Sequence, residues 1–421
     1  MRNDTDPALA ELRREAESGS PQALYQLANA LVVQHELEEA QALHRRAAEA
    51  GLGNSQVEYA RMLMYGVASD PDPVQAREWL LRAEAAGNVV ASYLLVLMQF
   101  GQGRHGEGAF NDRLLAAIRA EYPPALRAAA IHFGRRANAA DQTRCLQLLE
   151  RAAVRGDAVA ARLLAERLMR GEGCPPQPQA ARDIAAQLAR IGIGPLPAID
   201  VAPLDHSLPA AALALDEVLR PVPAQEQSSR PRVLTIDHLL SADECRLLMA
   251  SAEPRLQRSQ TVDPETGLPL EMELRTSEDA SFDPILEDLS LRLVQARMAT
   301  AAGLPLAHAE HLTILRYRPG QEYRPHRDYR PPGSIERDHP EAGNRLRTIC
   351  VYLNEVDAGG ETEFPVSGVK VAPQAGRAVI FDNLHADGRP DVDSLHAGLP
   401  VLQGEKWLAT LWIRQGRYRA Y

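Results

Sequence analysis

The stretch Tyr317-Arg-Pro-Gly-Gln-Glu-Tyr323-Arg-Pro-His326-Arg-Asp328, followed later by Ser394-Leu-His396-Ala-Gly398, Lys406-Trp407 and Trp412, decides how the chain is read. In an extended segment, residues i and i+2 face the same way, so His326 and Asp328 are expected to aim at one point. Pro325 just before them marks a strand edge or end. A further imidazole must arrive from another strand. The chain also holds His308, His311, His339 and His385, so counting alone does not select it. Position favours His396, because Lys406 follows it by ten residues and a β-rich segment begins there. A buried ammonium at that place suits the far end of a dicarboxylate. His385 has no cation at that spacing.

Two neutral imidazoles and one carboxylate on one face of an octahedron leave three positions open, which is the donor set of mononuclear non-heme Fe(II) oxygenases. A closed thiolate site is excluded, since Cys145, Cys174, Cys245 and Cys350 are scattered with no CxxC pair. Such cysteine usage fits reduced thiols and a cytoplasmic protein. The polar, acidic start Met1-Arg-Asn-Asp-Thr-Asp-Pro lacks the apolar core of a signal peptide, and no apolar run is long enough to cross a bilayer. The net charge of −10 argues against nucleic-acid binding, which needs a basic face. One local exception is the run Arg316, Arg318, Arg324, Arg327, Arg330, Arg337, Arg345 and Arg347, read either as a solvated rim or as a field for an acidic protein substrate.

A chain of 421 residues is long for one domain, and a multidomain protein is expected. Residues 1–192 are rich in Ala, Leu, Arg and Glu, with apolar residues at helical spacing, as in Ala23, Leu24, Leu27, Ala30 and Leu31. Gly19, Gly51, Gly87 and Gly156 recur roughly 34 residues apart, with one degenerate unit around Tyr122-Pro123-Pro124. Each glycine is expected to end one helix before the next begins. Paired helices of that length bury their apolar faces only by stacking, which gives an α-helical repeat solenoid. This pattern resembles Sel1-like repeats, relatives of tetratricopeptide repeats, and the resemblance implies contact with a protein partner.

Residues 193–230 are punctuated by Pro195, Pro197, Pro203, Pro209, Pro221 and Pro223, and read as a semi-rigid linker with a short helix at 209–219. Beyond it, 231–421 reads as a second domain. A strand is expected at 233–237, a helix from a cap at Ser241 to Ala252, and a longer helix over 282–303. Short β-type runs follow at 311–317, 346–353, 368–371, 378–381, 400–402 and 407–413, separated by turn residues such as Asp357-Ala-Gly-Gly360. Many short strands preceded by helices predict a jelly roll with supporting helices.

The ordered blocks Leu239-Leu-Ser-Ala-Asp-Glu-Cys245, Arg275-Thr-Ser277, Tyr317 to Asp328, Tyr352-Leu-Asn354, Gly359-Gly-Glu-Thr-Glu-Phe-Pro365, Phe381 with Asn383, Ser394 to Gly398 and Gly404-Glu-Lys-Trp407 resemble the catalytic domain of prolyl 4-hydroxylases. That resemblance implies a double-stranded β-helix and a procollagen-proline 4-dioxygenase-like activity using Fe(II), 2-oxoglutarate and O2, with L-ascorbate as a further cofactor. It implies that His326, Asp328 and His396 hold the metal. Tyr317, Thr362 and Lys406 match positions for the 5-carboxylate of 2-oxoglutarate. Arg275, Ser277, Glu310, Tyr323, Arg345 and Trp412 match positions that line a peptide groove. Arg414 stands where some relatives carry His. The loops 330–344 and 382–394 are lid candidates. The activity implied is hydroxylation of prolyl residues in a peptide or protein, with the repeats recruiting a partner or substrate. Alternatives are the same chemistry on a non-prolyl or small-molecule substrate, and a catalytically silent repeat scaffold.

Overall fold

In a computed structural model of the chain, the repeat glycines do what their spacing asks of them. Gly19, Gly51, Gly87, Gly156 and Gly192 all adopt left-handed φ between +72° and +91°. The degenerate unit keeps the geometry without the glycine, because Glu121 takes that place with φ +58°. Its N–H donates to the Ile118 carbonyl and Tyr122 N–H to that of Ala117, the same pair of bonds that closes the helix before Gly51. The structure describes residues 7–101, 103–104, 108–201, 204, 208–262, 269–271, 275–331, 333–335 and 339–419.

Helices pair along the chain as antiparallel hairpins: Pro21–Val33 with Leu37–Glu49, Gly53–Tyr65 with Pro73–Ala85, Val89–Gly101 with Gly108–Arg119, and Ala158–Arg170 with Pro178–Ala189. Their cores are small and aliphatic. Leu24, Leu27, Ala28, Leu31, Ala40, Leu43 and Ala47 form one such cluster, and alanine at the contacts lets neighbouring helices approach closely. The chain divides into two compact units, Met1–Ala125 and Leu126–Tyr421. The helices from 126 to 189 therefore belong with the β-rich part. No described helix is long and apolar enough to cross a membrane.

Among the described residues of the second unit, eight antiparallel strands form a major sheet. Their order is Gln225–Ser229, Arg232–Ile236, Ala378–Asp382, Arg345–Tyr352, Lys406–Arg414, Leu312–Tyr317, Glu278–Phe282 and Gln257–Arg258. A minor sheet runs Val369–Val371, Thr362–Phe364, His396–Gly398 and Tyr323–His326. Val233, Leu315, Tyr352, Phe364, Val379, Phe381 and Leu408 fill one core that draws on both sheets, as expected of a jelly roll. The major sheet begins at Gln225, inside the proline-rich stretch. The short helix expected at 209–219 is a single 3₁₀ segment, Leu215–Leu219, with Leu215 and Val218 buried.

The helix expected over 282–303 starts later, at Leu289, and ends at Ala301. Asp288 caps it by accepting from Leu291 N–H, while Asp283 caps a separate 3₁₀ turn, Pro284–Leu286. Phe282 ends the strand Glu278–Phe282. The helix Ala242–Ala252 opens with a capping box formed by Ser241 and Glu244.

A seam of buried charge joins that helix to the repeats of its own unit. Asp243 accepts from Arg167 and from Arg246, and Arg246 also donates to both carboxylate oxygens of Glu172 at 2.6 and 2.7 Å. Glu244 binds Arg135 on one side and Arg297 on the other. Arg167, Arg246, Asp243 and Glu244 are at most 2 % exposed.

Candidate active site

The strands Tyr323–His326 and His396–Gly398 pair antiparallel with His326 directly opposite His396. Register thus places two imidazoles from distant sequence side by side, their ring centroids 4.2 Å apart. Each ring is oriented by its own backbone. Nδ1 of His326 lies 2.8 Å from the Arg324 carbonyl, and Nδ1 of His396 lies 2.9 Å from that of Ser394. A carbonyl only accepts, so Nδ1 carries the proton in both rings and Nε2 presents a lone pair.

Asp328 does not reach the site by strand alternation, since the strand stops at His326. Its buried carboxylate is held from below by the hydroxyl of Thr348, which donates to Oδ2 at 2.7 Å. Oδ1 then stands 3.6 Å from Nε2 of His326, and Oδ2 stands 3.8 Å from Nε2 of His396. One donor atom from each of the three residues falls within 4.8 Å of the others. Burial pushes the Asp328 carboxyl up, but the His396 and His326 rings and Arg345 outweigh it, and the group stays well below the usual carboxylate range. Burial, with the neighbouring His326, holds His396 down to about 4, so it is neutral at physiological pH. Two imidazoles whose Nε2 atoms converge with one carboxylate fit a divalent first-row metal, which takes such rings in their neutral form.

Beside this cluster opens a pocket. His326, Asp328 and His396 line it, as do Tyr317, Thr362 and Lys406. Lys406 is 1 % exposed and sits opposite Tyr317 in the sheet, its ammonium 4.9 Å above that ring. It donates to the Gly360 carbonyl at 2.8 Å, and among the described residues no carboxylate lies within ion-pairing distance. Desolvation lowers its pKa to about 8. A desolvated cation at the closed end of a pocket is a site for an anionic ligand group. Thr362 is fixed by Tyr352, whose phenol lies 2.6 Å from its hydroxyl.

Of the other residues singled out, Arg275, Tyr323 and Trp412 also line the pocket. Tyr323 stacks on His326 at 3.4 Å between centroids, and burial pushes its phenol up to about 12. Trp412 carries the Arg345 guanidinium over its ring at 4.2 Å, and its buried indole N–H has no partner among the described residues. Ser277, Glu310 and Arg345 do not line it. Ser277 is fully buried against Ser259. Glu310 binds Arg345 through both oxygens at 2.7 Å and also takes Arg414 at 2.5 Å. Glu310 therefore acts on the pocket through Arg345, which reaches the Asp328 carbonyl at 3.4 Å. Arg414 in addition donates to the Gly343 carbonyl, at the base of the 330–344 loop. His385 lies apart, with Nε2 3.7 Å from Asp391. In the arginine run, Arg316 and Arg318 share Glu278, Arg324 meets Glu322, and Arg347 meets Asp382; Arg337 and part of the 330–344 loop fall outside the described residues.

Sequence reasoning missed Thr348, Leu315, Leu408 and Thr410. Thr348 touches Asp328, and the other three line the pocket. The signal for the three lining residues was strand alternation: Leu315 shares a face with Tyr317, and Leu408 and Thr410 share one with Lys406; Thr348 lies on the strand beside that of Lys406, opposite Trp412.

Residues 312–414 match the 2OG-Fe(II) oxygenase superfamily. The chain is 33 % identical over 211 residues to probable prolyl 4-hydroxylase 3 of Arabidopsis thaliana, spanning 46 % of this chain and 72 % of that one. Prolyl 4-hydroxylase 1 of the same plant is 36 % identical over 200 residues, with 44 % and 69 % covered. The chain belongs to the prolyl 4-hydroxylase family. It is a 2-oxoglutarate-dependent dioxygenase of the procollagen-proline dioxygenase-like class, and its family implies Fe(II), 2-oxoglutarate and O2. A solved Sel1 repeat protein from Oxalobacter formigenes is also similar, at 22 % identity and TM-score 0.39, covering 46 % of this chain and 58 % of that one.

Proposed function

We propose that this prolyl 4-hydroxylase family member binds Fe(II) through Nε2 of His326, Nε2 of His396 and the Asp328 carboxylate. Lys406, with Tyr317 and Thr362 beside it, anchors the 5-carboxylate of 2-oxoglutarate. The observation that carries this reading is the buried Lys406 ammonium, without a carboxylate partner among the described residues, in the same pocket as two converging imidazole lone pairs. When bound, iron and cosubstrate together supply the oxidising chemistry, with 2-oxoglutarate going to succinate and carbon dioxide and one oxygen atom going to the substrate.

The chain's own residues position and exclude. The Arg324 and Ser394 carbonyls fix which imidazole nitrogen is bare. Tyr323 and Trp412 offer aromatic walls for a prolyl ring, and the Trp412 indole N–H is placed to donate to a peptide carbonyl. Arg345, held by Glu310, keeps the Trp412 ring and the Asp328 backbone in place. The substrate is a prolyl residue of a peptide or protein. The exposed Arg324 and Arg327 at the rim favour an acidic one, and the repeats recruit it or a partner. Ascorbate serves to keep the iron ferrous, and the compartment is the cytoplasm, in keeping with four free cysteines.

The test is 2-oxoglutarate turnover by the full chain with prolyl peptides of acidic and basic flank, read as succinate release and a product heavier by one oxygen atom. Stimulation by prolyl peptides, strongest with acidic flanks, is expected. Turnover that no prolyl peptide stimulates sends the substrate to another class.

A further inference from the structure

Thr348 and Asn383 do not touch the pocket, yet they form a directed chain beneath it. Thr348 lies mid-sheet, paired with Phe381 on one side and Trp412 on the other. Asn383 follows the strand Ala378–Asp382 and is wholly buried, as is Thr348. The amide nitrogen of Asn383 stands 2.9 Å from Thr348 Oγ1, and that oxygen stands 2.7 Å from Asp328 Oδ2. An amide NH₂ only donates, so the Thr348 oxygen must accept from Asn383, and its single proton points at Asp328. Asn383 thus sets the direction of the hydroxyl. The hydroxyl in turn occupies Oδ2 and leaves Oδ1 toward His326.

The same asparagine reaches the opposite ligand through its backbone. Its carbonyl accepts from Asp391 N–H at 2.9 Å, and the Asp391 carbonyl accepts from both Ser394 N–H and Ser394 Oγ. The Ser394 carbonyl then takes Nδ1 of His396. One residue at the foot of the 382–394 loop therefore ties the carboxylate and one imidazole to a common frame.

We propose that Thr348 and Asn383 are positioning residues that hold Asp328 as a one-oxygen metal ligand, with Thr348 hydrogen-bonded to the other oxygen, and so keep coordination positions free for the cosubstrate. This rests on the reading of His326, Asp328 and His396 as the metal site. A groove residue would instead alter peptide binding and leave the metal unaffected.

The experiment loads full-length protein anaerobically with Co(II), and reads affinity by titration and coordination number from the intensity of the visible ligand-field bands. Thr348→Val keeps the β-branched shape, so the strand is preserved, and near-UV circular dichroism checks the fold. Loss of such an outer hydrogen bond lowers metal affinity by roughly 10- to 100-fold. That loss is expected in Thr348→Val, with a band change as both carboxylate oxygens become available, and Thr348→Ser is expected to recover both. Asn383→Asp supplies the sharper reading. Above the pH at which the introduced carboxyl ionises, followed by titrating the variant, it only accepts, which turns the Thr348 proton away from Asp328, so there this variant should match Thr348→Val although Thr348 is intact. Wild-type affinity and bands in folded Thr348→Val overturn the proposal. So does an Asn383→Asp variant that binds like wild type with its introduced carboxyl ionised. Failure of the wild-type chain to bind Co(II) overturns instead the metal-site reading beneath it.

Discussion

Among the described residues, the two compact units differ in whether they bury ion pairs. In Met1–Ala125 most of the described ion pairs sit in water, as Arg13 with Glu39 at 43 % exposure each and Arg14 with Glu11 more exposed still, while Arg113 with Glu84 is partly sheltered. Leu126–Tyr421 has exposed pairs too, such as Arg389 with Asp387, but it also holds fully buried ones, as Arg167 with Asp243 at 1 % and 2 %, and Arg292 with Glu287 at 2 % and 0 %. Solvated pairs contribute little and are replaceable. Buried pairs contribute little as pairs but cost much when one member is lost, because the other is stranded without water. The first unit is thus a stack of interchangeable helices, whereas the helices from 126 to 189 are bound into the catalytic fold by groups that cannot be left alone.

Truncation should break or confirm that contrast with the largest effect. Removing residues 1–125 is expected to leave a folded protein that turns over short prolyl peptides. Removing 1–190 strips Arg135, Arg167 and Glu172 from Glu244, Asp243 and Arg246, and should yield protein that does not fold cooperatively, read by thermal melt and circular dichroism. A cooperative melt from 191–421 would show that the seam is dispensable.

Single substitutions sharpen the same comparison. Asp243→Ala is expected to lower stability by about 3–5 kcal/mol, since Arg167 and Arg246 lose a buried partner. Glu39→Ala in the first unit should stay within about 1 kcal/mol. Urea unfolding of both, followed by signals local to each unit, compares them directly. Equal effects would erase the distinction.

Lys406 departs from its unit's rule, being buried without a carboxylate among the described residues, and the pH response is the gentlest of the tests. Its folded pKa of about 8 lies below the ordinary 10.5, so from about 8 upward the folded protein holds fewer protons there than the unfolded chain. Stability of the ligand-free protein should therefore rise with pH across that window, the reverse of a salt-bridged lysine. Affinity for 2-oxoglutarate should move the other way, its KM climbing by roughly tenfold per pH unit above about 8 as the ammonium is lost. A KM flat to about pH 9.5 would remove Lys406 as the anion's anchor.

Legibility in the sequence followed the length and regularity of each element. Glycines about one repeat apart disclosed the helical array, and even Glu121 kept the geometry that the pattern left blank. The long strands Lys406–Arg414 and Arg345–Tyr352 were visible as apolar runs. Of the minor sheet only Val369–Val371 was, as the run at 368–371; its other strands, of three or four residues, carry no measurable alternation. His396 was found by its distance to Lys406 instead. Asp328 was reached by a strand argument that the structure does not follow, and Thr348, which holds it, had no local signature at all. The late start of the helix at Leu289 turned on two acidic caps, Asp283 and Asp288, set among apolar residues that read as continuous.

The facing histidines have one more consequence. His326 and His396 lie on strands of four and three residues, too short to hold their alignment by backbone alone. An ion gripped by both rings would rivet those strands together, and sliding either by one position would carry its imidazole to the far side of the ribbon. Loading the metal and locking the alignment would then be one event, so the emptied protein should exchange amide hydrogens fastest along this narrow ribbon.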